Sequence, residues 1–272
     1  MEKDFKGSFL NRAFTGLAII IPFFGLIYTA NIYLTTIVIA VIASLMLAEW
    51  TQLSKKRNYL TDSLFISVFV IIFLFNDINL LNVIVYISAF LWILLSSVLF
   101  FNKLDLLRFM DFNNTFLKLL LIFGFISSLL ILSRIDEYGH FLVFILVFNT
   151  ALVDIFAYLI GSRYGKNPLL KNISPNKTWE GFFGGILSSA VFVFILFYFY
   201  ELDNIMILIL FTSSIFAFVG DYSVSYLKRK SNIKDTGKIL PGHGGILDRL
   251  DSHMSAATVF TFLYLILKVS SF

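Results

Sequence analysis

The 272-residue chain is 58% hydrophobic and 18% aromatic, and only 14% of it is charged. Soluble domains average about 45–50% apolar and about 25% charged residues, so this composition, with a mean hydropathy of +0.88, places the chain in a bilayer. Cysteine is absent, which excludes disulfides, thiolate zinc sites and cysteine nucleophiles, and the net charge of +4 follows from loop topology with no need for a nucleic-acid partner.

A helix that crosses the hydrocarbon core needs roughly 17–25 apolar residues. Nine segments qualify, at 13–30, 32–52, 60–76, 79–101, 115–133, 140–162, 181–200, 204–226 and 254–270. Their apolarity is continuous and does not alternate, so the expected fold is all-α and polytopic, not a barrel. The run from Ala13 passes Pro22 towards Tyr28 without a signal-cleavage pattern, so it is expected to stay as a span. Spans one and two share a tight turn around Asn31. No soluble insert is apparent, and residues 1–272 read as a single membrane domain, with N-terminal spans over 13–133 and the chemistry-bearing spans and loops over 140–272.

The loops alternate in charge. Lys3, Lys6 and Arg12 precede the first span, and Lys55, Lys56 and Arg57 follow the second. Lys103 and Arg108 follow the fourth; Arg163, Lys166, Lys171 and Lys177 follow the sixth. The intervening loops around Asn31, Asp77, Arg134 and Asp203 hold one basic residue between them. By the positive-inside rule the N-terminus is cytoplasmic and the C-terminus outside, which an odd number of spans satisfies. The two richest polar loops then face the cytoplasm together.

Chemistry concentrates after the sixth span and around the eighth. Asp154 and Tyr158 stand one turn apart near the inner end of span six, and an intramembrane carboxylate is a functional candidate by default. Ser174-Pro175 reads as an N-cap followed by proline in a first helical turn, with Lys177 beside it. Such a terminus with a lysine suits phosphate, although most are simply capped helices. Asp221, Ser225 and Lys228 lie at i, i+4, i+7 on one helical face. They are compatible with an Asp–Lys pair that fixes packing, or with a site. Lys230 lies about 200° round the helix from Lys228 and is expected to face water or headgroups.

Pro241-Gly242-His243-Gly244-Gly245 breaks regular structure, and its amides could form an anion nest; glycines alone leave a plain flexible turn open. Asp248-Arg249-Leu250-Asp251 follows, with both carboxylates facing one way in a helical frame. Asp221, Asp248 and Asp251 supply hard oxygens suited to Mg²⁺. Glu49, Lys118, His140 and His253 are weaker candidates: Glu49 lines the same cavity or reaches the interface, Lys118 snorkels to the inner surface, His140 is inert on the outer side, and His253 sits at the interface.

The stretch from Ser225 to Asp251 resembles the signature of the CDP-diacylglycerol synthases, or phosphatidate cytidylyltransferases. Its elements occur in order as Ser225, Lys228-Arg229, Lys234-Asp235, Pro241, His243-Gly244-Gly245, Asp248-Arg249 and Asp251. Upstream, Asp154, Ala157-Tyr158, Gly161, Gly165-Lys166, Ser174-Pro175, Lys177-Thr178 and Glu180-Gly181 are similar too. The specific likeness covers roughly 150–255. It implies a helical membrane enzyme, homodimeric in well-known bacterial members, that converts phosphatidate and CTP into CDP-diacylglycerol and pyrophosphate with Mg²⁺. One or two divalent cations are implied, and a monovalent one is compatible with the site. The bacterial inner membrane, with the site facing the cytoplasm, is the expected location.

Carried over residue by residue, the likeness makes Asp221 and Asp248 metal carboxylates, with Asp251 a third metal candidate from its place one turn from Asp248. Asp221, Lys228, Asp248 and Arg249 become catalytic, with Ser174, Lys177, Lys228 and Arg249 meeting phosphates. Ser225, Arg229, His243, Gly244, Gly245, Asp154 and Tyr158 join Ser174 and Lys177 as substrate contacts. A lipid or polyprenol kinase is the nearest rival reading, and an Asp-lined transporter the rival from another class. The transporter is disfavoured because the polar groups collect at one mouth, without a visible repeat of broken helices.

Overall fold

A computed structural model of the chain describes residues 23–54, 67, 77–135, 138–171, 173–200, 203–237 and 244–267. Seven helices in it are long and apolar enough to cross a membrane. They are α1 (Ile32–Leu53), α2 (Ile78–Phe100), α3 (Thr115–Leu132), α4 (Gly139–Tyr164), α5 (Trp179–Tyr200), α6 (Asn204–Lys230) and α7 (Leu247–Leu267). A 3₁₀ turn at Leu104–Phe109 lies between α2 and α3, and two short strands, β1 (Pro168–Leu170) and β2 (Ser174–Thr178), lie between α4 and α5. The chain is thus an all-α polytopic membrane protein. Seven of the nine expected spans match these helices; 60–76, Ser67 apart, and most of 13–30 lie outside the described residues.

Short polar side chains start the helices. Asn31 caps α1, its Oδ1 accepting from the Tyr33 and Leu34 amides at 3.0 and 3.1 Å. Asp77, Asn114 and Asp203 cap α2, α3 and α6 in the same way. Such a cap satisfies amide groups that have no intrahelical partner.

α3 and α7 form the interior, with 78% and 61% of their apolar windows buried, against 28–33% for α1, α2, α4 and α5. α7 packs most extensively on α6 and also touches α1 to α4. Small residues set the spacing, as expected where lipid offers no hydrophobic drive to associate. A Cβ on Gly181 would lie 2.7 Å from the Ala157 carbonyl, and one on Gly185 2.8 Å from that of Val153, so α4 and α5 run backbone to backbone. Gly220 likewise lies against the Asp251 backbone across α6 and α7, beside a Ser255 hydroxyl that donates to the Phe216 carbonyl at 2.6 Å.

The basic connections gather at one end of this bundle. Trp50 Nε1 and Ser54 Oγ, at the end of α1, both donate to the Phe112 carbonyl, at 2.9 and 2.6 Å. Lys230, at the end of α6, donates to the Arg108 and Met110 carbonyls at 2.6 and 3.0 Å. Lys230 therefore does not simply face water, as its helical angle predicts; the α2–α3 connection offers it two carbonyls. At the opposite end His140 is bonded to Thr35 Oγ1 at 2.9 Å, which ties α4 to α1.

α7 begins at Leu247, seven residues before the expected 254, and α6 runs on to Lys230. Hydropathy alone ends a span where charge begins, whereas the helices continue through their charged turns.

Candidate active site

The first part of the site is a lysine delivered by a hairpin. β1 and β2 pair antiparallel, with Pro168 opposite Thr178 and Leu170 opposite Ser174. Ser174 is therefore a strand residue and not the expected N-cap, and Lys177 is not in a helical turn. The extended backbone of a residue before proline suits an N-cap and a strand alike; the pairing with Pro168–Leu170 decides for the strand, where proline fits an edge. The cap is Thr178, whose Oγ1 accepts from the Gly181 amide at 3.2 Å. Glu180 then ties the hairpin to α5 by accepting from the Asn167 side chain at 2.8 Å and from the Lys166 and Asn167 amides.

So held, Lys177 reaches α6. Its Nζ lies 2.5 Å from Asp221 Oδ1, 3.1 Å from Ser225 Oγ and 4.5 Å from the centroid of the Tyr222 ring. Asp221 and Ser225 do share one face, as their spacing requires. Lys228, the third residue of that face, pairs elsewhere: its Nζ is 2.7 Å from Asp248 Oδ1. The Asp221–Lys228 packing pair is thus replaced by two pairs that join separate segments. The Lys228–Asp248 side chains are only 13% and 8% exposed.

Asp248 is the most heavily bonded carboxylate of the site. Its Oδ2 accepts from the Thr236 amide at 2.7 Å, the Thr236 hydroxyl at 2.9 Å and the Gly245 amide at 3.1 Å. The Gly245 amide is therefore committed to Asp248 and is not a free member of an anion nest. Gly244 has φ +85°, a conformation that glycine adopts without a Cβ penalty. His243 lies outside the described residues.

Two more carboxylates stand beside this pair. Asp154 Oδ1 accepts from the Ser252 hydroxyl at 3.0 Å, which links α4 to α7. Asp251 is buried and accepts from the Ser252 amide at 2.9 Å. Asp154 interacts electrostatically with Asp221, Lys177 and Arg249, and Asp251 with Asp221, Lys177, Asp154 and Lys228. Asp154, Asp221, Asp248, Asp251, Lys177 and Lys228 thus belong to one electrostatic unit. Arg249 and Arg229 are exposed, while Tyr158 projects outward, 74% exposed. Tyr158 does not share the inward direction of Asp154.

The donor chemistry of this unit fits a hard divalent cation: carboxylates outnumber lysines, and every oxygen donor is hard. Among the described residues no three acidic or histidine side chains form a ready cage. In this structure lysine ammonium groups sit on Asp221 and Asp248 instead.

Glu49 is the residue that the sequence reading undervalued. It is fully buried, accepts from the Ile246 and Leu247 amides at 2.7 and 3.3 Å, and is hydrogen-bonded to the Thr236 hydroxyl. Its sequence signal is its isolation as the single charged residue of α1. Thr236 had no signal of its own. Lys118 is buried and does not snorkel outward, and His253 is half-buried with its Nδ1 enclosed by protein.

Comparison with known proteins gives the family. Residues 10–267 match the model of the cytidylyltransferase family. A Haemophilus influenzae protein named phosphatidate cytidylyltransferase is 32% identical, over 82% of this chain and 87% of its own length. Proteins of the same name from Aquifex aeolicus and Bacillus subtilis are 37% and 41% identical, over 57% and 52% of their lengths.

Proposed function

The chain belongs to the cytidylyltransferase family, and from that membership we propose that it transfers CMP from CTP to phosphatidate, giving CDP-diacylglycerol and pyrophosphate. The observation that carries the reading is the convergence of Lys177–Asp221 and Lys228–Asp248 at the basic end of the bundle. Phosphatidate, with a second pKa of about 6, is largely a dianion at neutral pH. It attacks the α-phosphorus of CTP without a protein base, and the bond to the pyrophosphate leaving group breaks. The protein's task is to bring two polyanions together and to stabilise the charge on the departing pyrophosphate, which preorganised cations do.

Lys177 and Lys228 are held in place by aspartates and exchange those partners for phosphate oxygens when substrates bind. Ser225 offers a hydroxyl donor next to Lys177, and Ser174 offers another from the start of β2. Arg249 and Arg229 lie at the mouth, where they meet the triphosphate as it arrives. Asp221, Asp248 and Asp251 would hold Mg²⁺ once the lysines turn to substrate; that ion supplies further charge neutralisation of the triphosphate and leaving group. A homodimer in the bacterial inner membrane, its site opening to the cytoplasm, completes the proposal. Support for the orientation is the clustering of basic loops at one end.

The test is product analysis with purified protein, phosphatidate, labelled CTP and Mg²⁺. Pyrophosphate and a CDP-lipid are expected in equal amounts. In a parallel reaction that offers a polyprenol in place of phosphatidate, release of CDP with a newly phosphorylated lipid alcohol would make the chain a kinase.

A further inference from the structure

Asp248 is positioned by more than its own helix. The Thr236 amide and hydroxyl and the Gly245 amide all converge on its Oδ2. These donors come from the two described flanks of 238–243, and one side chain from a distant helix grips both flanks. Glu49, near the end of α1, accepts from the Ile246 and Leu247 amides on one flank and bonds the Thr236 hydroxyl on the other. Gly237 and Gly245 leave it room: a Cβ on Gly237 would lie 3.0 Å from Glu49 Cδ, and one on Gly245 would lie 2.6 Å from the same atom.

The Thr236 hydroxyl lies within bonding distance of both Glu49 Oε1 and Asp248 Oδ2. A hydroxyl has one proton to donate, so the two carboxylates are linked through a single shared donor. What happens at Glu49 is therefore felt at Asp248.

We propose that Glu49 is a positioning residue for the cytidylyl-transfer site, holding Thr236 and the first turn of α7 so that Asp248 faces Lys228. This rests on the functional reading above but draws on a residue far outside the 150–255 likeness. Glu49 touches no reacting atom in this account. Its effect runs through Asp248, and misplacement of a catalytic group by about 1 Å can cost about a hundredfold in rate.

Two readouts test it. In Glu49→Ala, hydrogen exchange at the Gly245, Ile246 and Leu247 amides should rise at least about tenfold. In Glu49→Gln it should stay near wild type at Gly245 and Ile246, since the amide oxygen still accepts from Ile246 and the amide nitrogen donates to Thr236 Oγ1, and should rise only at Leu247, whose amide faces the replaced oxygen. Kinetically, Glu49→Ala should lower kcat about a hundredfold with KM for CTP little changed, and Glu49→Gln should keep at least about a tenth of wild-type kcat.

Thr236→Val should resemble Glu49→Ala, and the double variant should be no worse than either single one, because both cut the same link. Unchanged exchange in Glu49→Ala, multiplied losses in the double variant, or a raised KM at unchanged kcat would each overturn the proposal. If Glu49→Ala does not fold, Glu49→Gln and Thr236→Val still decide it. Absence of CDP-lipid from the wild type would instead sink the functional reading, and the exchange readout would still judge the clamp.

Discussion

Lys228 and Lys230 stand two residues apart on α6 and have different work. Lys228 faces Asp248 across a largely buried contact, while Lys230 caps two carbonyls of the α2–α3 connection. Lys228→Gln should therefore lower turnover about a hundredfold or more, the scale of losing one preorganised donor. Lys230→Gln should leave turnover within about threefold of wild type and cost about 1 kcal/mol of stability through weakened hydrogen bonds. Turnover and thermal unfolding of the purified variants check both. Equal, mild losses in turnover would strike Lys228 from the site. The shared face of Asp221 and Ser225 was legible from i, i+4 spacing, but the partners of Lys177 and Lys228 were not. Helical periodicity says which way a residue points along its own helix and nothing about which segment meets it there.

At the scale of elements, α6 and α7 carry the aspartates and must lie close for the site to exist. Gly220 permits that approach, because a side chain there would run into the Asp251 backbone and the Ser255 hydroxyl. Gly220→Leu should separate the helices, cost about 1–3 kcal/mol by overpacking, and lower turnover more than a comparable change on the outward face of α5, such as Leu187→Phe. Similar turnover in both would show that the α6–α7 spacing does not govern the site. The strand at Ser174–Thr178 escaped the reading because a Ser-Pro pair before an apolar run is shared by caps and edge strands. The extended backbone of a residue before proline fits both, and the pairing with Pro168–Leu170 that makes the strand has no local sequence pattern. The early start of α7 escaped it because hydropathy falls at Asp248 while the backbone hydrogen bonds do not.

For the whole molecule, the alternation of loop charge anticipated that the C-terminal ends of α1, α2, α4 and α6 lie together, and the contacts of Trp50, Lys230 and Lys177 place them there. Which side of the membrane that end faces is an experimental matter. Single cysteines in place of Lys171 and Lys234, both exposed in this cysteine-free chain, should react with an impermeant thiol reagent only from the cytoplasmic side. Labelling of either from outside would contradict the proposed orientation. The long-range ties, above all Glu49 to the first turn of α7, were illegible because they join segments nearly two hundred residues apart, with no periodicity between them. The central claim is that Asp221 and Asp248, each engaged by a lysine from another segment, form one cytidylyl-transfer centre. Its most direct test is the yield of CDP-lipid and pyrophosphate from phosphatidate and CTP by wild type, Asp221→Asn and Asp248→Asn, each shown to be folded. Equimolar products from the wild type and at least about a thousandfold less from each variant is the expected result, since each change removes a carboxylate charge at the reacting site. Near-wild-type yield from either folded variant would contradict it.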